Sequence, residues 1–359
     1  MRGRLIRTAH RWHIRGEQMN IKRIAELAGV SVATVSRVVN HPERVRDETR
    51  EHVLSVMQQY NFTPNWFARS LNLESSNTIA LLIPGIETDF FQQIISGVET
   101  VAGNKEYAVL FGQTNNYPTR EAEFVDMMIN RKVDGIIQVN SRLNGEETLL
   151  MQNLELPRVH IGKNRVCTSD TLCYVDIEEG ARRMTRHLIE LGHKIIMALF
   201  DEANSNTSEQ AFAGINRALR DTGHTIIFSS AQAENSVRGG YLAVQRLIQS
   251  KSMPEALIAA SDLQAIGAMK AARDAHINIP DDLALASLTD SAVCSVLSPA
   301  LTALELPSKR LGMAAARMLI DQIEGTLPYV DMPHDLILQP KLKIRESCGN
   351  TQDIYEWFD

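Results

Sequence analysis

Residues 20–40, NIKRIAELAGVSVATVSRVVN, decide the fold of the first part of the chain, because they predict two short helices joined at a glycine. Apolar residues recur at helical spacing on both sides of Gly29, and Asn20 and Ser31 stand where each helix needs an N-cap. Glycine adopts the left-handed conformation without steric cost, so Gly29 ends the first helix and begins a tight turn. This pattern predicts a helix-turn-helix, whose second helix can lie in the major groove of DNA.

A third helix is predicted over residues 47–60, where apolar residues again recur at helical spacing. Its expected buried stripe consists of Val53, Val56, Met57 and Tyr60. Three helices of this size are enough for a small DNA-reading domain, although a plain helical bundle would show the same periodicity. The turn chemistry around Gly29 favours the DNA-reading domain.

The second helix carries two kinds of candidate DNA contact. Arg37 can bridge O6 and N7 of a guanine, and Val32 and Ala33 can touch the methyl group of a thymine. A phosphate contact or a solvent-exposed charge is the alternative for Arg37. The polar residues better suited to phosphate contacts are Ser31, Thr34, Ser36 and Asn40.

The charges of the chain are divided unevenly along its length. Of 359 residues with a net charge of −6, residues 1–73 carry 12 Lys and Arg against 6 Asp and Glu, and the rest carry 25 against 37. A basic N-terminal part on an acidic body is expected when only the former meets DNA phosphate. No apolar run is long enough to span a bilayer and no secretory signal begins the chain, so we expect a cytoplasmic protein without a membrane partner.

From Thr78 onward, short aliphatic runs alternate with helical patterns. The predicted strands are residues 79–83, 108–111, 135–139, 158–161, 195–199, 225–228, 257–260 and 283–287. Strands separated by helices are typical of βαβ units, so the body is expected to be α/β, with two doubly wound parallel-sheet lobes. Crossovers between the lobes are expected near residues 161–175 and 287–305, and ligands of such folds bind beyond the carboxyl ends of the strands.

The alternating pattern alone would also suit a Rossmann-type enzyme, so catalytic motifs decide between the two classes. The chain has no P-loop, no G-x-G-x-x-G opening a helix, no H-E-x-x-H and no G-x-S-x-G. His187 and His193 flank a predicted helix end, which suits capping or surface roles better than metal binding, and the four cysteines show no metal-type or redox-type spacing. We therefore expect no catalytic residues, no metal and no cofactor.

Three segments of the N-terminal part carry a resemblance: IKRIAELAGVSVATVSRVVN (21–40), RDETREHVLSVMQQYNFTPN (46–65) and ARSL (68–71). They closely resemble the lactose/galactose repressor (LacI/GalR) family, and the similarity continues through TIALLIPGIETDFFQQIISGVE (78–99), NIPDDLALASL (278–288) and LKIRES (342–347). The resemblance implies a three-helix head, a hinge helix and a periplasmic-binding-protein-like core. The expected parts are a basic extension (1–18), disordered or the product of an upstream start, then the head (19–64), the hinge (65–77), the core (78–347) and an acidic tail (348–359).

In the resembled family the hinge folds on operator DNA and enters the minor groove. By that likeness Asn65 and Arg69 are expected to contact DNA, and Leu71 to wedge between base steps and kink the duplex. Two positions depart from the family pattern: Arg23 replaces an acidic residue, and Arg46 replaces a serine that caps the third helix. Both changes add positive charge to the head.

The resemblance is less informative for the effector pocket. Sugar-binding members use three charged residues at positions that here hold Gly162, Ala211 and Thr289, so a charged clamp on sugar hydroxyls cannot be carried over. Asp262 is expected to cap a helix. The candidate effector-binding residues at matching positions are Phe90, Phe91, Gln113, Thr207, Asn235, Ser261 and Thr289.

These features together imply a sequence-specific transcriptional repressor of a catabolic or transport operon. Two heads of a homodimer would read a pseudo-palindromic double-stranded operator, and a small molecule of the sugar or nucleoside class would control operator affinity. The acidic tail lacks leucine heptads, so a dimer is expected and not a tetramer. The alternative is a regulator whose core is a protein-interaction module without a sugar ligand, because the charged clamp is missing.

Overall fold

The computed structural model describes residues 20–40, 42–60, 62, 75–144, 148, 156–167, 170–201, 205–223, 225–326 and 335–349. Contacts within the chain form two compact units, which divide between residues 76 and 77. The first unit contains the head, and the second contains the core.

The head consists of three helices and a short 3-10 turn, Pro42–Arg44. The helices are α1 (Ile21–Leu27), α2 (Val32–Asn40) and α3 (Asp47–Gln59). The predicted caps are confirmed, because the Oδ1 of Asn20 accepts the backbone N–H of Arg23 at 3.0 Å and the Oγ of Ser31 accepts that of Thr34 at 3.1 Å. Gly29 has φ +63°, so the turn is left-handed as predicted.

The three helices of the head bury a small apolar core. Its buried members are Ile24, Ala25, Ala28, Val35, Val38, Val53, Val56 and Met57. The prediction that Tyr60 belongs to the buried stripe is wrong, since its side chain is 40% exposed. Helix α3 ends at Gln59 and Tyr60 is its C-cap, so the backbone leaves helical geometry there and the ring stays in solvent. Arg46 makes no side-chain cap on α3, which agrees with the loss of the serine that the resemblance indicated.

The first lobe of the core is a six-stranded parallel sheet. Its strands are β1 (Thr78–Ile83), β2 (Ala108–Gln113), β3 (Gly135–Val139), β4 (Arg158–Ile161), β5 (Thr171–Val175) and β11 (Leu336–Leu338). They lie in the order β11-β5-β4-β3-β1-β2, and every pairing is parallel.

The second lobe repeats this arrangement with one difference. Its strands are β6 (Ile195–Asp201), β7 (Ile227–Ala233), β8 (Ala256–Ala259), β9 (Ala284–Ser287), β10 (Thr302–Glu305) and β12 (Lys341–Lys343). Their order is β12-β10-β9-β8-β6-β7, and β12 is antiparallel to β10. The predicted α/β core of two doubly wound lobes is confirmed, whereas the antiparallel edge strand was not predicted.

Eight helices of the described core separate the strands and cover both sheets. They are α4 (Asp89–Asn104), α5 (Pro118–Asn130), α6 (Ile177–Glu190), α7 (Ser205–Asp221), α8 (Val237–Gln249), α9 (Asp262–Asp274), α10 (Ala292–Val296) and α11 (Ser308–Ile323). None of the helices in the described part of the chain combines the length and apolar character that crossing a bilayer requires.

The chain passes between the lobes three times in the described residues: at Asp176, at Leu306 and Pro307, and at Gln339 and Pro340. The predicted crossovers at 161–175 and 287–305 are therefore placed too early, because β5 and β10 complete their sheets before the chain crosses. The third crossing was missed, since β11 and β12 are three residues each and leave no readable alternation.

Two strand boundaries also differ from the prediction. Strand β7 runs over Ile227–Ala233 and not 225–228, and β9 begins at Ala284. The second half of β7 is polar and partly exposed because it lies at the edge of its sheet, so hydrophobicity did not mark it.

Candidate DNA-reading helix and effector cavity

Helix α2 buries one face and exposes the other. Val35 and Val38 are buried in the head core, with 0% and 3% of their surface exposed. Val32 is 41% exposed, and Ala33 and Arg37 are exposed beside it. The residues predicted to read bases therefore share the outward face of a helix that is anchored from behind.

Arg37 differs from its basic neighbours in having no ion pair within the described residues. Arg23 pairs with Glu26 at 2.7 Å, Arg50 with Asp47 at 2.8 Å, and Arg44 lies 3.7 Å from Glu43. An unpaired guanidinium on an exposed helix face keeps its full donor set for a guanine edge or a phosphate.

The hydroxyl groups at the start of α2 hold the helix in place. The Oγ of Ser31 lies 2.9 Å from the Oγ1 of Thr34 and also accepts its backbone N–H. Each hydroxyl retains hydrogen-bonding capacity for a phosphate, so the predicted contacts stay predictions. Ser36 is half-buried. The side chain of Asn40 and the hinge residues Asn65, Arg69 and Leu71 lie outside the described residues.

A cavity of about 450 Å³ lies in the core at the carboxyl ends of the strands of both sheets. This is the place that the topology predicts for a ligand, and the volume suits a small organic molecule. Six of the predicted effector residues line it: Phe90, Phe91, Thr207, Asn235, Ser261 and Thr289. The seventh, Gln113, lies outside the lining, and its Nε2 donates to Asn115 Oδ1 at 2.7 Å.

Aromatic side chains form much of the apolar wall. Phe90 and Phe91 contact one another edge to face, with ring centroids 5.3 Å apart. Tyr174 and Phe200 also line the cavity, although the sequence reasoning did not select them. Such a wall can pack against a ring of a ligand, as aromatic pairs do in protein cores.

Hydrogen bonds between the strand ends organise the polar wall. Ser261 is the N-cap of α9: its Oγ accepts the N–H of Gln264 at 3.3 Å and donates to the Oδ1 of Asn235. The prediction that Asp262 is the cap is therefore wrong, because the helix begins one residue later than that reading required. The Oγ1 of Thr289 accepts the N–H of Asp262 at 3.0 Å and donates to its Oδ1 at 3.1 Å.

These contacts change the expected roles of two predicted residues. The hydroxyls of Ser261 and Thr289 are engaged in holding Asn235 and Asp262, so they position the wall. Asn235 and Asp262 are left to face the cavity that they line.

Carboxylates dominate the charged groups of the cavity lining. They are Glu87, Asp89, Asp201, Glu234, Asp262 and Asp290, against Lys163 as the one cation of the described lining. Asp290 is neutralised by two hydrogen bonds from Arg345, at 2.9 and 2.7 Å. Lys163 lies 3.7 Å from Glu178, which offsets its charge.

Gln210 is a lining residue that the sequence reasoning missed. Its Nε2 donates to the Oδ1 of Asn206 at 3.0 Å, whereas its Oε1 is buried and accepts no hydrogen bond from the described residues. It lies one position before Ala211, where the resemblance placed a lost arginine. The only available signal was a glutamine on the helix that the resemblance assigned to the pocket.

The described residues contain no cluster of three or more His, Cys, Asp or Glu side chains arranged for a metal ion. His187 is partly buried and not a surface residue; its Nε2 lies 3.3 Å from the Sγ of Cys348, and burial lowers its pKa. His187 also supplies the carbonyl that accepts the N–H of Leu191 at the end of α6.

Two regions of the chain match known domain families. Residues 20–65 match the family described as bacterial regulatory proteins, lacI family, and residues 185–348 match a periplasmic binding protein-like domain. The first match covers α1 to α3, and the second covers most of the second lobe.

Named relatives match over most of their length. An HTH-type transcriptional repressor PurR of Erwinia tasmaniensis is 32% identical over 309 residues, which is 84% of this chain and 90% of the relative. Catabolite control protein A of Staphylococcus xylosus is 29% identical, over 88% of this chain and 97% of the relative.

Solved structures show the same fold. The lac repressor dimer bound to operator and the anti-inducer ONPF has a TM-score of 0.81 at 22% identity, covering 92% of this chain and 99% of that one. A complex of the transcriptional regulator CelR with cellobiose has a TM-score of 0.67 at 24% identity, covering 92% of this chain and 100% of that one.

Proposed function

The chain belongs to the LacI family of bacterial regulatory proteins, and on that premise we propose that it represses a catabolic or transport operon under the control of a small molecule. It is a DNA-binding transcriptional regulator, as are its named relatives. Operator DNA lies in the bacterial cytoplasm, where we place its action, and we assign it no catalytic activity.

The observation that carries this proposal is the exposed face of α2. Val35 and Val38 fix the helix to the head, while Val32, Ala33 and Arg37 stand free of the protein. A rigid helix with two small apolar groups and one unpaired guanidinium on its outer face has the chemistry to read a thymine methyl and a guanine edge in the major groove.

The proposed assembly is a homodimer. One head covers too little DNA for tight specific binding, and a symmetric pair matches a pseudo-palindromic operator. The sheet edges of the core supply surfaces for pairing: β2 and β7 are edge strands, and they expose Phe111 (44%) and Ile227 (62%). Exposed apolar side chains on an unpaired strand edge favour association with a second chain.

Control of DNA binding is proposed to start in the cavity. Its wall is built from both lobes, and the lobes are joined by three crossings, so a ligand that contacts both walls would bias their relative position. Operator affinity would then follow the ligand's preference between core conformations. An organised cavity of this size supports a small-molecule effector over the alternative of a core that serves only as a protein-interaction module.

Gel-shift assays with the full-length protein and fragments of its own genome test the proposal. We expect a complex that survives excess non-specific competitor DNA and weakens steeply as salt rises, because phosphate contacts release counterions. The absence of any such complex at any fragment would contradict the proposed function.

A further inference from the structure

The cavity presents far more negative than positive charge to a ligand. Glu87, Asp89, Glu234 and Asp262 line it without an ion pair to any described residue. The only lining cation of the described residues, Lys163, is exposed and faces Glu178. An anionic group placed among these carboxylates would meet repulsion without a cation to compensate it.

The polar groups still available in the wall include two hydrogen-bond acceptors. The Oε1 of Gln210 is buried and receives no hydrogen bond from the described residues. In Asp262, whose surface is 9% exposed, the hydrogen bonds from Leu263 and Thr289 both go to Oδ1, which leaves Oδ2 available. A buried acceptor without a donor is costly, and a ligand N–H or O–H would satisfy it.

The remaining wall is apolar and aromatic. Phe90 and Phe91 are packed edge to face after β1, and Phe200 lies at the end of β6, on the opposite lobe. This combination of flat apolar surface with separate acceptors fits a ring that bears hydrogen-bond donors.

From charge, acceptors and aromatic wall together, we propose that the effector is an uncharged or cationic ring compound rich in N–H or O–H donors, and that it carries neither phosphate nor carboxylate. Nucleosides, neutral sugars and amino sugars belong to this class; nucleotides, sugar phosphates and sugar acids do not. The inference rests on the proposed function, since it assigns the chemistry of the ligand that controls operator binding.

Matched pairs of compounds test the inference on the full-length protein. Calorimetric titration compares adenosine with its 5′-monophosphate, cytidine with its 5′-monophosphate, glucosamine with its 6-phosphate, and cellobiose with cellobionate. We expect at least one unphosphorylated member to bind, and its anionic counterpart to bind at least tenfold more weakly. Equal or tighter binding of the anionic counterpart would overturn the inference, and so would a panel in which no uncharged or cationic member binds.

Two glutamine variants then test the role of the orphan acceptor. Gln210→Met keeps a side chain of similar length but removes the carbonyl, so the compound that binds should lose at least tenfold in affinity. Gln245→Met is the matched control, because Gln245 lies on α8 outside the cavity, with its Nε2 donating to the hydroxyl of Tyr241 at 3.1 Å. Equal affinity in the Gln210→Met variant and the control would contradict a contact to Gln210.

The failure of this inference and the failure of the proposed function are separable. Gel shift of the ligand-free wild-type protein from the same preparation reports on DNA binding alone. A protein that binds operator but prefers the anionic compounds keeps its proposed function and overturns the inference. A protein that binds the uncharged compounds but no DNA supports the inference and contradicts the proposed function.

Discussion

Single side chains on α2 are where the account assigns sequence recognition. Replacement Arg37→Ala should weaken operator binding by about 1–3 kcal/mol and relax the preference at one base pair, because a bidentate contact to guanine is lost. Gel-shift titration against the operator and its single-base variants measures both effects. Arg44→Ala is the control, since Arg44 lies on the 3-10 turn beside Glu43 and not on the outward face of α2. A loss of equal size on every sequence would make Arg37 a phosphate contact.

The cysteines also yield a prediction for single residues. All four are buried, and burial raises the pKa of both Cys173 and Cys294 to about 12. Thiolate is the reactive form, so the native protein at pH 8 should react with a thiol reagent far more slowly than the unfolded protein, which should titrate four thiols. Rapid reaction of the native thiols would contradict the buried positions of these residues.

At the scale of secondary-structure elements, the turn between α1 and α2 depends on the conformation of one glycine. A Cβ at Gly29 would meet no atom within 4 Å, so Gly29→Ala should act only through the strain of φ +63°. That strain costs about 1–2 kcal/mol, and both the thermal stability of the head and operator affinity should fall.

Gly103→Ala is the matched control for the turn. Gly103 lies in α4, has equally open space around its Cβ position, and is not in the left-handed region. Alanine there should leave stability unchanged or raise it by up to about 1 kcal/mol. Circular dichroism melting curves compare the two variants, and equal stability for both would show that the turn does not need glycine.

Helix α6 contains a carboxylate whose pKa ties stability to pH. Hydrogen bonds from Arg182 lower the pKa of Glu179 to about 2 against the opposing effect of burial, and Arg183 adds to the shift. Because the folded-state pKa is the lower one, this stabilisation is complete above the ordinary value of 4.5 and is lost as pH falls towards 2. Glu179→Gln should therefore cost about 1–2 kcal/mol at pH 7 and progressively less below pH 4.

Urea unfolding at several pH values measures this effect. Glu190→Gln, on the same helix, is the control, because Glu190 pairs with Arg186 on the surface and such pairs contribute at most about 0.5 kcal/mol. A Glu179→Gln penalty that does not shrink in acid would contradict the ionic origin of the stabilisation.

Elements with strong periodicity or cap chemistry could be predicted from the sequence, and others could not. Helices α1 to α3 followed from Asn20, Gly29 and Ser31, since local hydrogen bonds and glycine geometry decide those boundaries. Strands β11 and β12 could not be predicted, because three residues paired with distant strands leave no local pattern. Long-range pairing is decided by the tertiary structure, which a pattern of neighbouring residues does not encode.

For the whole molecule, the division of the cavity lining shows the same limit. Residues that follow strands, such as Phe91, Asn235 and Thr289, could be predicted because topology places them at one edge. Gln210 lies within α7, and whether it faces the cavity depends on how that helix packs. The roles of Ser261 and Thr289 depended on partners 26 and 27 residues away, which only the folded chain brings together.

The central claim for the whole molecule is that paired heads read duplex DNA through the outer face of α2, and selection of operators from a random duplex library by the full-length protein tests it most directly. The account predicts enrichment of an inverted repeat with two half-sites, and a changed half-site when Val32 and Ala33 are replaced together. Failure to enrich any sequence, or an enriched sequence that is unaffected by those replacements, would contradict it.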